Sequence, residues 1–398
     1  MVSLLTLFIA ALASLFMAWA IGAGSSGSTP FAPAVGANAI GVMRAGFIVG
    51  LLGLTGASLQ GANVTEAVGS ELVAGGTLSP TAAIVALATA AALVAVGVFA
   101  GYPIATAFTV TGAVVGSGLA LGRGPAWPKY VEIASLWLLV PFVGGGIAFA
   151  TAKLLRDERV SESLAVPGLA FLVGVVLANI EFVLLGSADS GRGIATALTR
   201  AVVGEGATGR PVLAGTVLVT VAFAGTVAGL LALDLRRDEE RGQRHFLLAL
   251  GGLVAFSAGG SQVGLALGPL IPLLEQGNVE ITLSVLLFAG GMGLLAGSWT
   301  GAPRMIKALS QDYSSLGPRR SIAALIPSFA IAQSAVFFGV PVSFNEIIVS
   351  AIVGSGYAAG GAGVSGRKMG YTVLAWLGSL VLALGVSFGG FLLVDGLL

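Results

Sequence analysis

Long apolar runs recur along this chain, and each is long enough to cross a lipid bilayer. A membrane-spanning helix needs about 20 apolar residues, and charged residues make up only 9% of the 398 residues. A soluble domain carries about 25% charged residues. The sequence therefore predicts an all-α polytopic protein of the cell membrane, embedded in the lipid bilayer. The twelve predicted segments are 2–22, 45–61, 81–100, 104–121, 131–155, 164–186, 212–233, 246–274, 281–299, 321–338, 342–360 and 371–394.

The remaining composition excludes several classes of protein. The formal net charge is +1, too small for the basic surface of a nucleic-acid-binding protein, so we expect no nucleic-acid partner. The chain has no Cys and one His, His245, which rules out disulfides, thiol chemistry and Cys or His clusters around a metal. It contains no recognisable nucleophile–base pair and no Walker loop. We therefore expect neither an enzyme nor a bound metal or cofactor, beyond a coupling ion.

Positively charged residues predict which loops face the cytoplasm, because short cytoplasmic loops carry an excess of Lys and Arg. One basic loop follows Lys153 and carries Arg156 and Arg159, and the other is DLRRDEERGQR at 234–244. Two predicted spans separate these loops, so both lie on the same side, which we assign to the cytoplasm. Both chain termini are then external.

Two stretches of the chain repeat at a constant spacing. GYPIATAFTVTGAVVGSGLALG begins at Gly101, and GVPVSFNEIIVSAIVGSGYAAG begins 238 residues later at Gly339. We therefore predict two homologous halves, residues 1–155 and 245–398, joined by a pair of spans with cytoplasmic loops in 156–244. Each half makes an odd number of crossings, so the halves are predicted to be inverted relative to each other.

Both halves also contain a helix-breaking segment at corresponding positions. AIGAGSSGSTPFAPAVG at 20–36 interrupts the first apolar run, and SAGGSQVGLALGPLIP at 257–272 is its counterpart. Paired breaks in inverted halves are typical of secondary transporters, whose substrate site lies where the breaks meet. Either break alone is equally well explained as a Gly/Ser packing kink. Because hydroxyls and free helix N-terminal N–H groups suit an anion, the predicted ligands here are Ser25, Ser26, Ser28, Thr29, Ser261 and Gln262.

The repeated motifs resemble those of the inorganic phosphate transporter (PiT) family of cation-coupled phosphate and sulfate permeases. Members carry G-A-N-D-V-A-N-A, often followed by Gly-Pro, in each half; here the copies read AGSSGSTPFAPAVG from Ala23 and GGSQVGLALGPL from Gly259. Members also carry G-x-P-V-S-T-T-H twice, which corresponds to GYPIATAF and GVPVSFNE. The resemblance covers almost the whole chain and implies an inverted-repeat secondary transporter with broken or re-entrant helices.

The chain departs from the family pattern at residues that the resemblance implies to be functional. The Asn-Asp pair of the signature is replaced by Ser25–Ser26 in the first half and by Ser261–Gln262 in the second. In the family, the signature Asp pair and nearby polar groups are implied to bind the coupling cation and phosphate. Ser and Gln offer oxygen but no charge. We therefore expect the anion-binding groups to persist while the usual cation site is weakened or lost.

Two acidic residues are candidates to replace the missing carboxylates. Glu346 lies in the second Gly-x-Pro motif, and Glu66 lies in the polar stretch after the second predicted span. Carboxylates inside apolar segments are costly and usually functional, although each also has an interpretation as an interfacial residue. The motifs add Thr106, Ser343 and Asn345 as candidate substrate ligands.

The predicted function is transport of a small inorganic oxyanion, phosphate first and sulfate second, by alternating access with Na⁺ or H⁺ as the coupling ion. An uncoupled anion channel or facilitator is the alternative favoured by loss of the signature carboxylates, and a receptor that has kept the fold is a third. We expect weaker Na⁺ dependence than in typical members, with a proton on Glu346 if coupling persists. We also expect a homodimer, and we expect Glu181 to contact another helix or a second subunit.

Overall fold

A computed structural model describes residues 2–187, 190–277, 281–311, 313, 316–360 and 364–397. Among these residues, ten helices are long and apolar enough to cross a membrane. The first part of the chain contains α1 (Leu4–Ile21), α2 (Ala32–Gly36), α3 (Val42–Gln60), α4 (Ala62–Ser70), α5 (Pro80–Ala100), α6 (Thr106–Ala120) and α7 (Trp127–Leu154). The middle contains α8 (Glu162–Asn179), α9 (Ile194–Val203) and α10 (Arg210–Arg237). The last part contains α11 (Glu239–Leu267), α12 (Ile271–Gln276), α13 (Leu283–Thr300), α14 (Ala302–Gln311), α15 (Pro318–Phe338), α16 (Phe344–Tyr357) and α17 (Gly366–Asp395).

In the described part of the chain, two small two-stranded antiparallel sheets accompany the helices. Strands β1 (Val73–Ala74) and β2 (Gly124–Pro125) pair with each other, as do β3 (Glu181–Ser187) and β4 (Ser190–Gly193). The predicted span 164–186 was therefore wrong at its end, because the helix stops at Asn179. The sequence that follows, IEFVLL, is rich in β-branched and aromatic residues that favour strand pairing.

Each of the twelve predicted segments contains a helix, but two of these helices are short. Helices α6 and α16 have 15 and 14 residues, or about 22 Å at ~1.5 Å per residue. The hydrocarbon core is about 30 Å thick. Neither helix can cross it alone, so each depends on the extended residues that precede it, and the number of full crossings stays a prediction.

The two Gly-x-Pro motifs explain why these short helices begin inside the protein. Gly101 and Gly339 cap α5 and α15 in the left-handed conformation, with φ of 73° and 63°. A residue without a Cβ adopts this conformation at little cost. Pro103 and Pro341 follow, and the residue before a proline is biased toward extended backbone. The same motif thus produces the same helix–break–helix element at both places.

Glycines allow the long helices to approach closely. A Cβ on Gly259 of α11 would lie 2.0 Å from the carbonyl oxygen of Gly53 in α3. A Cβ on Gly297 of α13 would lie 2.0 Å from the carbonyl oxygen of Trp19 in α1. Small residues at helix interfaces are typical of membrane proteins, where packing replaces the hydrophobic effect as the driving force.

Two matching hydrogen bonds connect the first part of the chain to the last part. Trp137 of α7 donates from Nε1 to the carbonyl of Pro341 at 3.2 Å. Trp376 of α17 donates from Nε1 to the carbonyl of Pro103 at 2.8 Å. Each Gly-x-Pro break is therefore held by the long final helix of the other part. The element order recurs between 1–155 and 245–398, while the inverted orientation of the halves stays a prediction.

Candidate functional site

The break in the first apolar run is a π-helical turn at Gly22–Ser26, followed by an irregular stretch before α2. The hydroxyls of Ser28 and Thr29 both donate to the carbonyl of Ser25, at 3.1 and 3.0 Å. Side-chain bonds of this kind compete with regular helix and hold a turn. Ser25 and Ser26 are buried in the turn. The Ser28 and Thr29 hydroxyls predicted to bind substrate are thus already bonded within the turn.

The corresponding segment of the second half breaks later than expected. Helix α11 runs without interruption through Ser261 and Gln262 to Leu267. A short 3₁₀ turn, Gly268–Leu270, then leads into α12. The break predicted within 257–272 therefore begins only at Gly268–Leu270, because Pro269 is the first residue there that cannot continue the helical hydrogen bonding.

Gln262 is where the separate elements meet. Its Oε1 accepts the hydroxyl of Thr106, the first residue of α6, at 2.8 Å, and that of Ser25 in the π-helical turn at 3.3 Å. Its Nε2 donates to the carbonyl of Val342, in the break before α16, at 2.7 Å. The side chain is fully buried. The amide of Gln262 thus connects α11 to α6, to the π-helical turn and to the break before α16.

Asn345 makes a second junction from the first turn of α16. Its Nδ2 donates to the carbonyl of Gly24 at 2.9 Å and to that of Ile104 at 2.7 Å. The structure therefore brings Thr106, Gln262 and Asn345 into one neighbourhood. Their polar atoms are used largely to hold the elements together.

Other polar atoms in this neighbourhood have no protein partner. Among the buried oxygens of the described residues that lack a hydrogen bond, four belong to this neighbourhood: Ser261 Oγ, Ser343 Oγ, Asn345 Oδ1 and Glu346 Oε2. Two more, Thr111 Oγ1 and Ser350 Oγ, lie further along α6 and α16. Leaving such a group unsatisfied costs about 1–3 kcal/mol, so these atoms keep hydrogen-bonding capacity that the protein itself does not use. We call Ser25, Thr106, Ser261, Gln262, Ser343, Asn345 and Glu346 the central cluster.

Two helix N-termini contribute backbone donors next to the central cluster. Helix α6 begins at Thr106 and α16 at Phe344, and no side-chain oxygen caps either helix. The first N–H groups of a helix have no intrahelical acceptor and carry partial positive charge. Ser343, at the N-cap of α16, keeps its buried hydroxyl free. Backbone N–H groups beside free hydroxyls form an arrangement that can bind an anion.

The charge of the central cluster comes from a single carboxylate. Glu346 is 1% exposed and belongs to the first turn of α16. The other six members carry no formal charge, and no group of three or more His, Cys, Asp or Glu side chains suited to a metal occurs in the described residues. An isolated buried carboxylate needs a proton or a bound cation.

The second predicted coupling residue lies elsewhere. Glu66 is exposed on α4 and is not in the central cluster. This position gives no support to its assignment as a coupling candidate. Its position follows from the amphipathic pattern of α4, whose buried face is made by Val64, Thr65, Ala67 and Val68.

A polar chain next to the central cluster was missed by the sequence analysis. Gln333 of α15 donates from Nε2 to Ser257 Oγ at 2.6 Å and to Gln60 Oε1 at 3.1 Å. Gln60 in turn donates from Nε2 to the backbone carbonyl of Glu181 at 2.7 Å. Polar side chains inside apolar segments often indicate a functional site. Gln60 and Gln333 lie in such segments, so the sequence could have identified them.

Comparison with known proteins agrees with this architecture. A family model described as the phosphate transporter family matches residues 21–387. The chain is 26% identical to the inorganic phosphate transporter 2-1, chloroplastic, of Arabidopsis thaliana, over 91% of this chain and 68% of that protein. It is 25% identical to a putative phosphate permease of Chlamydia muridarum, over 95% and 96% of the two chains. A solved structure of the sodium-dependent phosphate transporter has the same fold, with a TM-score of 0.81 at 21% identity over 99% of this chain and 100% of that one.

Proposed function

The chain belongs to the phosphate transporter family, and we propose that it carries inorganic phosphate across the membrane by alternating access, coupled to a monovalent cation. It is a multi-pass integral membrane protein and a transporter, not an enzyme. The observation that carries the proposal is a set of buried oxygens without a protein partner. They lie where the π-helical turn at Gly22–Ser26 and the break before α16 meet the N-termini of α6 and α16. Irregular backbone at membrane depth is tolerated where it is buried in protein or lines a wet cavity.

The donors of the central cluster suit an oxyanion. The free hydroxyls of Ser261 and Ser343 and the first N–H groups of α6 and α16 provide hydrogen-bond donors without a positive side chain. Because Ser25, Ser26, Ser261 and Gln262 stand where the family signature has Asn-Asp, no signature carboxylate repels the anion. Phosphate binding then requires less charge compensation than a pair of Asp residues would demand.

An unpartnered acceptor favours phosphate over sulfate. Asn345 Oδ1 is buried without a donor. Phosphate near neutral pH carries at least one O–H group that can donate to such an acceptor, whereas sulfate only accepts. A site with unsatisfied acceptors discriminates against a ligand that lacks the donor. Sulfate is therefore the second candidate substrate.

Coupling is assigned to Glu346. It is the only carboxylate of the central cluster, and its Oε2 has no protein donor. A proton or Na⁺ bound there neutralises the carboxylate before phosphate enters. An uncoupled facilitator is the alternative, since the usual signature carboxylates are replaced.

The test is uptake of radiolabelled phosphate into proteoliposomes with imposed Na⁺ or H⁺ gradients and with sulfate as competitor. We expect gradient-driven accumulation that excess sulfate inhibits weakly. Protein-free liposomes give the background. Phosphate flux that does not depend on either gradient would identify a facilitator. Phosphate binding without flux would identify a receptor.

A further inference from the structure

A cavity of about 280 Å³ lies outside the central cluster, where three helices end together. Helices α3, α8 and α15 finish at Gln60, Asn179 and Phe338. This volume holds about nine water molecules at ~30 Å³ each. Its polar lining comes from both halves and from the middle of the chain, and consists of Gln60, Asn63, Asn179, Glu181, Gln333 and Ser334.

The electrostatics of this cavity favour a positive charge. The C-terminal end of a helix carries partial negative charge and the N-terminal end partial positive charge. Three C-terminal ends converge here, against one N-terminal end, that of α4 at Ala62 and Asn63. Glu181 adds a carboxylate, and none of the described residues that line the cavity is Lys or Arg. The lining is therefore rich in oxygen acceptors, as a monovalent cation requires.

The corresponding helix end in the first half already bonds to a positively charged side chain. Arg304, near the start of α14, donates from Nη1 to the carbonyl of Phe99, at the C-terminal end of α5, at 3.1 Å. Near the start of α4, the uncharged Asn63 makes the corresponding bond to the carbonyl of Val336 at 3.3 Å. One helix end is thus neutralised by a guanidinium, while its counterpart faces the cavity without one.

A chain of polar side chains leads inward from the cavity. Gln60 and Gln333 line it, and Gln333 donates to Ser257 Oγ. Ser257 and Ser261 are four residues apart on α11, so they lie on the same face one turn apart. Ser261 Oγ is buried and unpartnered in the central cluster. Side-chain oxygens therefore extend from the cavity to the neighbourhood of the coupling carboxylate.

We propose that this cavity is the entrance for the coupling cation, Na⁺ or hydronium, and that Gln60, Gln333 and Ser257 conduct it to the central cluster. The inference rests on the proposed function, which supplies the coupled transport. On the orientation predicted from the basic residues, α3, α8 and α15 begin at the cytoplasmic side, so the entrance opens to the external side. The anion binds beside the N-termini of α6 and α16, whereas the cation enters where three helix C-termini outnumber one N-terminus.

The native chain contains no Cys, so a single introduced thiol reports on the cavity directly. Ser334→Cys is conservative, because Ser334 is exposed and its hydroxyl only bonds back to Ala330 on its own helix. The thiol-modifying reagents, cationic MTSET and anionic MTSES, are added to the outside of cells. The rate at which each reagent modifies the introduced thiol is divided by its rate with a free thiol in solution. We expect a normalised MTSET/MTSES ratio of about ten or more, since a site of one charge sign concentrates counter-ions ~10-fold or more. Adding Glu181→Gln should lower the ratio several-fold.

The matched control is Ser135→Cys, another exposed helical serine with a hydroxyl bonded to the carbonyl four residues earlier, on α7 and outside the cavity. If Ser334→Cys reacts no faster than this control, the cavity is not an aqueous entrance and the proposal fails. A normalised ratio at or below one would identify an anion entrance and overturn it equally.

A functional measurement separates Na⁺ from hydronium. Glu181→Gln should raise the Na⁺ concentration, or the proton concentration, for half-maximal phosphate uptake several-fold, with little change in the KM for phosphate. An unchanged requirement for both ions overturns the cation pathway. If the native chain shows no phosphate flux, the proposed function fails instead, while the MTSET/MTSES ratio still reports the charge preference of the cavity.

Discussion

Thr106 donates its hydroxyl to Oε1 of Gln262 across 2.8 Å, although the two residues lie 156 positions apart. The bond links the first turn of α6 to the interior of α11. Both residues are fully buried. The contact between the two halves of the chain is therefore itself part of the candidate substrate site, and substitutions there should change transport.

Gln262→Ala removes the acceptor for Ser25 and Thr106 and the donor to the Val342 carbonyl. We expect phosphate uptake to fall about tenfold or more, because each lost buried hydrogen bond costs roughly 1 kcal/mol and leaves partners unsatisfied. Uptake into proteoliposomes measures the effect. Gln276→Ala, on the exposed end of α12, is the control and should retain native rates. Equal rates in both variants would remove Gln262 from the site.

Ser261→Ala deletes a buried hydroxyl that has no protein partner. We expect the melting temperature in detergent to stay the same or rise, and the KM for phosphate to rise several-fold, since only a ligand bond is lost. Ser328→Ala is the matched control, because its buried hydroxyl bonds the carbonyl of Ala324 at 2.7 Å. That control should leave the KM unchanged. A Ser261→Ala variant with a native KM would contradict anion binding at this hydroxyl.

Glu346→Gln keeps the shape of the side chain but cannot carry an exchangeable charge. We expect accumulation driven by a Na⁺ or H⁺ gradient to be lost, while exchange of internal for external phosphate continues. Uptake measured against pH and Na⁺ tests this. Glu66→Gln, on the exposed face of α4, should behave like the native chain. Gradient-driven accumulation that survives Glu346→Gln would show that the coupling ion binds elsewhere.

Gly259→Ala should destabilise the protein, because its Cβ would lie 2.0 Å from the carbonyl oxygen of Gly53. Overpacking of this kind costs about 1–3 kcal/mol, so we expect a lower melting temperature in detergent. Gly53→Ala changes the other side of the same helix contact, yet nothing lies within 4 Å of its Cβ. It should therefore be nearly neutral. A neutral Gly259→Ala variant would mean that α3 and α11 can separate freely.

Local patterns account for much of the site. The hydroxyl-rich break at 20–36 and the repeated Gly-x-Pro motifs predicted where regular helix would stop, because proline and left-handed glycine act on their own neighbours. Gln262 illustrates the limit of this reasoning. It was singled out as part of a broken helix, yet it lies inside the continuous α11. Its importance comes from the three elements that it joins.

By itself, the sequence determined the membrane character, the repeated motifs and the family resemblance, and it named all seven residues of the central cluster as candidates. These features depend on composition, periodicity and local backbone preference. Such properties can be read from residues that are close together in the sequence. Only the tertiary structure decided that Ser28 and Thr29 bond within their own turn, that Glu66 is exposed, and that Gln60 meets Gln333 across 273 positions. A side chain's role depends on which distant helix packs against it, and helix packing is settled by close contacts between residues far apart in the chain.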